Sequence, residues 1–387
     1  MTSASSHSLK EQDFHIPIAF AFDKNYLIPA GACIYSLLES IAKANKKIRY
    51  TLYALVVGLD EEDKAKLHQI TEPFKEFAAL EVKDIEPFLD TIPNPFDEDF
   101  TKRFSKMVLV KYFLADLFPK YSKMVWSDVD VIFCNEFSAD FLNIKEDDEN
   151  YFYGVYDKIY PYEGFFYCNL TCQRKNQFCK KILETMHTQK KIDKEPQLTE
   201  FCRSKIAPLK IEYCIFPHYY SLSEEHLRGV VNAIYHNTIK QALREPIVIQ
   251  YDSHPYFQIK PWTYPFGLKA DLWLNALSKT PFMSDWSYLI TGDGEIGGEK
   301  WCYYHSIIAY HYYFPLWKTE EQIAHDAFKT FLNHYSLHIH EIPKNARQRL
   351  FKHCFSIPLK SLISKTLKIL GLHGIVKKIL LKLLKKS

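Results

Sequence analysis

The chain has 387 residues, 47% of them hydrophobic and 25% charged, an ordinary globular composition that excludes a disordered or fibrous protein and leaves room for one large α/β domain with additions, or for two domains. Its net charge of +3 is unevenly spread: no acidic residue follows Glu341, while twelve Lys or Arg do, so the preceding body holds 37 basic against 46 acidic residues, or −9. No run of eighteen apolar residues occurs, which excludes an apolar membrane-spanning helix.

In chain order, IPIAFAFD (16–23) reads as a buried strand, and the next segment, KNYLIPAGACIYSLLESIAKAN, has helical spacing at Ile34, Leu37, Leu38 and Ile41. IRYTLYALVVGL is a second strand and EEDKAKLHQITEPF a helix that starts acidic, as its dipole prefers. SKMVLVKYFLADLFP is a third helix, and KMVWSDVDVIF a strand after it. Strand and helix alternate, which predicts a mostly parallel sheet with crossover helices, where ligands sit beyond the carboxyl ends of the strands. Downstream, YFYGVY and GFFYCNL are further strands, RKNQFCKKILETMHTQK a helix, QLTEFCRSK a short helix, LKIEYCIFP a strand, and EPIVIQY a buried strand leading into DSHPYFQIKPW. Trp- and Tyr-rich helical segments and a flexible loop, TGDGEIGGEK (291–300), follow, with no internal repeat.

Asp128 and Asp130 interrupt an otherwise apolar strand, with Met124, Val125 and Trp126 before them and Val131, Ile132 and Phe133 after. An ionised carboxylate buried alone is expensive, so such a pair is either a solvated turn at the strand's end or a site for a counter-charge or metal ion. Two carboxylates two residues apart can share a hard divalent cation if the backbone turns there, and a cation is what the diphosphate of a sugar nucleotide requires. Asp23, at the end of the first strand, can cap the helix after it or bind a ligand. His254, Lys260 and Trp262 each have an ordinary structural reading when taken alone.

Taken together and in order, these segments resemble glycosyltransferase family 8, retaining transferases of the GT-A fold. IPIAFAFDKNYLIPAGACIYSLLES is similar to the family's opening strand and helix, which implies uridine contacts from Ala21, Asp23 and Asn25 and a uracil-stacking role for Tyr26. SKMVLVKYFLADLFPKYSKMVWSDVDVIF matches the helix and strand that end in the metal-binding D-x-D, with Lys111 where the family has an arginine. GFFYCNLT keeps Gly164, Asn169 and Leu170 of the N-A-G-V-x-x-x-N-L segment but has Tyr162 and Glu163 in place of Asn and Ala. EPQLTEF keeps Gln197 of D-Q-D between Pro196 and Leu198, and HPYFQIKPW keeps the spacing of H-x-x-G-x-x-K-P-W with Phe257 for Gly. The resemblance covers roughly residues 15–265.

What it implies is an α/β chain with a Rossmann-like nucleotide-binding sheet of GT-A type and a helical C-terminal extension. It implies Mn²⁺ or Mg²⁺ held by Asp128, Asp130 and His254, with Gln250 as the rival third ligand. It implies a donor site formed by Ala21, Asp23, Asn25, Tyr26, Lys111, Lys260 and Trp262, and Gln197 facing the anomeric carbon as a dipole. The expected reaction moves a glucose or galactose from a UDP-sugar to a lipopolysaccharide or other glycolipid acceptor. The alternative is a catalytically weak nucleotide- or glycan-binding protein, marked by Lys111, Pro196, Leu198 and Phe257.

The domain expectation is a disordered segment over 1–14, a catalytic domain over 15–265, a helical region over 266–341 and a basic amphipathic tail over 342–387. The tail sets Leu and Ile clusters against eight lysines in its last 28 residues, the composition of an interfacial helix drawn to an anionic inner-leaflet membrane. It is Leu-rich rather than Arg- and aromatic-rich, which argues against a nucleic-acid partner. The polar N-terminal stretch lacks a signal-peptide core, and the nine cysteines, an odd number with no C-x-x-C pair, read as reduced thiols. The expectation is therefore a cytoplasmic protein peripherally attached to the inner membrane.

Overall fold

The computed structural model describes residues 14–44, 47–96, 105–145, 147–156, 161–188, 200–251, 253–254, 257–258, 260–262 and 268–286. Its first half alternates as β1 (Phe14–Asp23), α1 (Leu27–Ile41), β2 (Ile48–Val57), α2 (Glu61–Thr71) and β3 (Ala78–Asp84), then β4 (Lys123–Ser127), as expected except for β3, which was not predicted from the sequence. β5 (Val131–Phe133), β6 (Phe152–Tyr156), β7 (Pro161–Asn169), β8 (Ile206–Pro208) and β9 (Val248–Gln250) follow, with a two-strand ribbon of β10 (Ser253–His254) and β11 (Phe257–Gln258). The main sheet has the order β3-β2-β1-β4-β7-β6-β8. β1 is parallel to both β2 and β4, β7 runs antiparallel to both β4 and β6, and β8 is parallel to β6. β9 pairs with β5 in a separate two-strand sheet.

The sequence of β1 explains its central place. Ile16, Ile18, Ala19 and Phe20 are fully buried, as a strand covered on both faces requires. Alternation divides its side chains between two cores. Ile18, Phe20 and Phe22 pack with α1 on one face, and Ala19 joins Tyr53, Leu55, Trp126 and the 105–118 segment on the other. α1 lies close because its middle is small: Ala30, Ala32 and Cys33 are buried, and a Cβ on Gly31 would meet the ring of Phe282. α2 begins with a reciprocal capping box between Asp60 and Asp63.

Several expectations are corrected. Phe14 is already in β1, opposite Ile48. The helix expected over 105–119 is 3-10 from Lys106 to Phe113 and α-helical only over Leu114–Leu117; Val108, Val110, Tyr112 and Phe113 are β-branched or aromatic and lower its α propensity. LKIEYCIFP is not a strand but a 3-10 turn, Ile211–Tyr213, followed by a single bridge from Ile215 to Ile249. Its apolar run was real, since Ile211, Tyr213 and Ile215 are buried, but a short apolar run does not distinguish strand from turn.

Candidate active site

β1 leads to β2 and β3 on one side, while β4 lies on its other side, so the strand order reverses between β1 and β4. In a sheet of this kind the crevice for a ligand opens beyond the carboxyl ends of the two strands at that reversal. The register Ala19 to Trp126, carried two residues on, brings Ala21 level with Asp128. Asp23 and Tyr26 follow from β1, and Asp128 and Asp130 from β4.

The D-x-D turn is built tightly. Asp128 N donates to Gly164 O at 2.8 Å, which extends the β4–β7 pairing one residue past the strand. Trp126 Nε1 donates to Asp128 Oδ1 at 3.2 Å, and the carbonyl of Asp128 accepts from Ser127 Oγ at 2.8 Å and from Cys33 Sγ at 3.8 Å. Val129 is buried between them, while its neighbours Asp128 and Asp130 are only partly buried. β9 then closes the turn, with Tyr251 N donating to Asp130 O at 2.9 Å. Asp130 Oδ1 accepts from Gln250 Nε2 at 2.5 Å, and Oδ2 takes the ammonium of Lys260.

The aromatic side is completed from the distant K-P-W tripeptide. Lys260 Nζ lies 5.3 Å from the centre of the Trp262 ring, and that ring meets Tyr26 edge-on at 5.9 Å. Tyr26 remains 38% exposed. Burial of its phenol, with Asp130, Asp128 and Asp23 adding to it and Lys260 opposing, pushes its pKa above the usual tyrosine value. Those four charged groups therefore act at one place, although Lys260 stands 130 residues from Asp130. The same two carboxylates, after complete burial, hold the Cys33 thiol well above the usual range.

The structure thus brings together Asp23, Tyr26, Asp128, Asp130, Lys260 and Trp262. Asp23 also caps, accepting from Asn25 N at 3.0 Å, as its structural reading expects. Lys111 turns inward instead: its side chain is 1% exposed, its Nζ donates to Glu163 O at 3.2 Å, and it lies 5.8 Å from the centre of the Trp126 ring. Its counter-charge is the Glu163 carboxylate at 3.8 Å, which also accepts from Tyr112 at 2.5 Å. Glu163, Tyr112 and Trp126 were not anticipated as supports of the site; the only signal was that Lys111 and Glu163 each depart from the family pattern. Gln197 lies outside the described residues, and so does the His254 side chain, whose backbone forms β10 opposite Phe257.

A hard divalent cation fits the donor set. Two carboxylates sit on one turn as hard oxygen donors, and the site draws a positive group, the Lys260 ammonium, against Asp130.

The family model for glycosyl transferase family 8 matches residues 17–265. The chain belongs to glycosyl transferase family 8. It is a glycosyltransferase. No curated protein matches it. Among solved structures, the bifunctional glycosyltransferase WbbM in its apo form is 16% identical, with a TM-score of 0.58 over 71% of this chain and 52% of that one. This chain therefore spans about half the length of WbbM. An active-site mutant of LgtC is 13% identical, with a TM-score of 0.51 over 69% of this chain and 96% of that one. Both likenesses are of fold, the GT-A arrangement of a nucleotide-binding sheet.

Proposed function

We propose that this family 8 member is a metal-dependent retaining hexosyltransferase that moves glucose or galactose from a UDP-sugar to a lipopolysaccharide or related glycolipid acceptor. The observation that carries the reading is the meeting of Asp128 and Asp130 with Tyr26, Lys260 and Trp262 at the strand-order reversal. Tyr26 offers a ring to a base, and Asp23 and Asn25 offer polar atoms to the ribose and uracil. Asp128 and Asp130 would hold Mn²⁺ or Mg²⁺. The bound cation supplies charge neutralisation to the departing diphosphate.

Lys260 completes this charge balance. Its ammonium pairs with Asp130 and would add positive charge beside the diphosphate, where charge develops as the sugar bond stretches. Trp262 keeps it within reach. Gln197 is assigned the dipole beneath the sugar ring, because an amide is too weak a nucleophile to form a covalent intermediate, and attack by the acceptor comes from the front face. Lys111 acts through Trp126, whose indole fixes Asp128, rather than by touching the donor. The acceptor class draws support from the basic, Leu-rich residues 342–387, which we assign to the surface of an anionic membrane on the cytoplasmic side. Those residues, and residues 287–341 of the helical region expected over 266–341, lie outside the described residues.

Release of UDP from UDP-glucose and UDP-galactose by the purified chain with Mn²⁺ tests the reading. Turnover that is abolished by Asp128→Asn supports it. UDP binding without any turnover favours a nucleotide-binding protein instead.

A further inference from the structure

Two carboxylates do not complete the shell of a divalent cation, which takes six or more oxygens. Among the described residues no three His, Cys, Asp or Glu side chains lie close enough to hold a metal ion. A polar side chain of another kind has been carried to the turn. β9 pairs antiparallel with β5, and Gln250 stands opposite Val131, one residue from Asp130. Its backbone is fixed by Ile215 O, which accepts from Gln250 N at 2.9 Å, and by the Tyr251 N bond to Asp130 O. Gln250 is only 3% exposed, yet its amide is aimed at Asp130, with Nε2 donating to Oδ1 at 2.5 Å.

The space for that amide is made by Gly164. A Cβ there would stand 2.5 Å from Gln250 Oε1 and 3.0 Å from Cδ, closer than atoms pack. Gly164 is also the residue whose carbonyl fixes Asp128 N, so the amide and both carboxylates are held by one network.

We infer that Gln250, not His254, is the third protein ligand of the cation, through Oε1, and that all three side-chain donors are therefore oxygens. The inference rests on the metal-dependent reading above. The Gln250 amide carries an NH₂ and a carbonyl oxygen on the same carbon. A half-turn about its last torsion exchanges Nε2 for an oxygen of nearly the same size and position, which is what a shared cation needs. An all-oxygen set suits Mn²⁺ and Mg²⁺, whereas an imidazole nitrogen would raise the affinity for Zn²⁺ and Co²⁺.

The test is equilibrium dialysis of the full chain against Mn²⁺ alone and against Zn²⁺ alone. Gln250→Ala should weaken Mn²⁺ binding by about tenfold or more, and His254→Ala by less than about twofold. Gln250→His, which keeps a donor in place, should shift the ratio of Zn²⁺ to Mn²⁺ affinity upward by about tenfold or more. This second variant reads a gain, so a loss of folding cannot imitate it. If His254→Ala weakens Mn²⁺ as much as Gln250→Ala does, or if Gln250→His leaves the ratio unchanged while Asp130→Asn abolishes binding, Gln250 is not a ligand although the carboxylate site stands. A wild-type chain that binds neither cation overturns this assignment and the metal-dependent reading together.

Discussion

Lys111→Met should destabilise the protein far more than a typical single substitution. The Lys111 and Glu163 side chains are 1% and 6% exposed and 3.8 Å apart, so little solvent screens them, and removing the lysine leaves a carboxylate in the core. One-sided loss of a buried ion pair costs about 3–5 kcal/mol. The Tyr112 hydroxyl, 2.5 Å from that carboxylate, still satisfies one of its oxygens, a bond to a charged acceptor worth about 1.5–3 kcal/mol. The loss should accordingly fall near the lower end, about 3 kcal/mol, which for a domain of this size lowers Tm by roughly 6–12 °C. Adding Glu163→Gln removes the orphaned charge, so the double variant should recover at least about 1 kcal/mol relative to additivity. Urea unfolding of wild type, both single variants and the double variant reads these values as shifts in midpoint at constant slope. A Lys111→Met protein within about 1 kcal/mol of wild type, or a strictly additive double variant, would refute the buried-pair account.

Tyr26→Ala should weaken UDP binding by about 1–3 kcal/mol, the scale of one base stacked on one ring, while Tyr26→Phe should stay close to wild type; calorimetry with UDP decides, and a small effect of the alanine would displace uracil from this ring. Burial pushes the thiols of Cys134 and Cys179 up to about 12. The folded state therefore holds these protons more tightly than the unfolded chain. The stability they contribute is complete below the ordinary thiol pKa of 9.0 and is lost as pH rises toward 12. Urea midpoints should fall over that window, and Cys134→Ser with Cys179→Ala should flatten the fall; an unchanged slope would contradict it. Deleting residues 357–387 should leave transfer to a soluble acceptor nearly unchanged and release the protein from anionic vesicles, each of the tail's lysines contributing on the order of 1 kcal/mol before screening; a truncated chain that still pellets with the vesicles would refute the anchor.

The strands that carry the site were legible in the sequence because each is buried on both faces. IPIAFAFD and KMVWSDVDVIF read as near-continuous apolar runs, and the carboxylates that end them stood out against that background. β3 and β8 were not legible. β3 is an edge strand whose residues alternate in burial and end in Glu81, Lys83 and Asp84, and β8 has only three residues, so neither carries a two-faced hydrophobic signal. At the site, D-x-D and K-P-W were visible as motifs, but the contact between Asp130 and Lys260 spans the fold and could be expected only through the family resemblance. Gln250 was visible only as a rival, because spacing favoured His254, six residues before Lys260 as in the family motif; the strand pairing of β5 with β9, which no local pattern encodes, brings the amide to Asp130. The inward turn of Lys111 follows from Glu163, and a single sequence gives no reason to connect residues 52 positions apart.

The central claim, that the D-x-D turn of this family 8 chain drives sugar transfer through a divalent cation, is tested most directly by one assay: UDP released from UDP-glucose and UDP-galactose, with Mn²⁺ and after chelation, by wild type and Asp130→Asn. The account predicts release with Mn²⁺ that chelation stops and readdition restores, and an Asp130→Asn protein that folds but is inactive at every Mn²⁺ concentration. Equal turnover after chelation, or near wild-type turnover by Asp130→Asn, would contradict it.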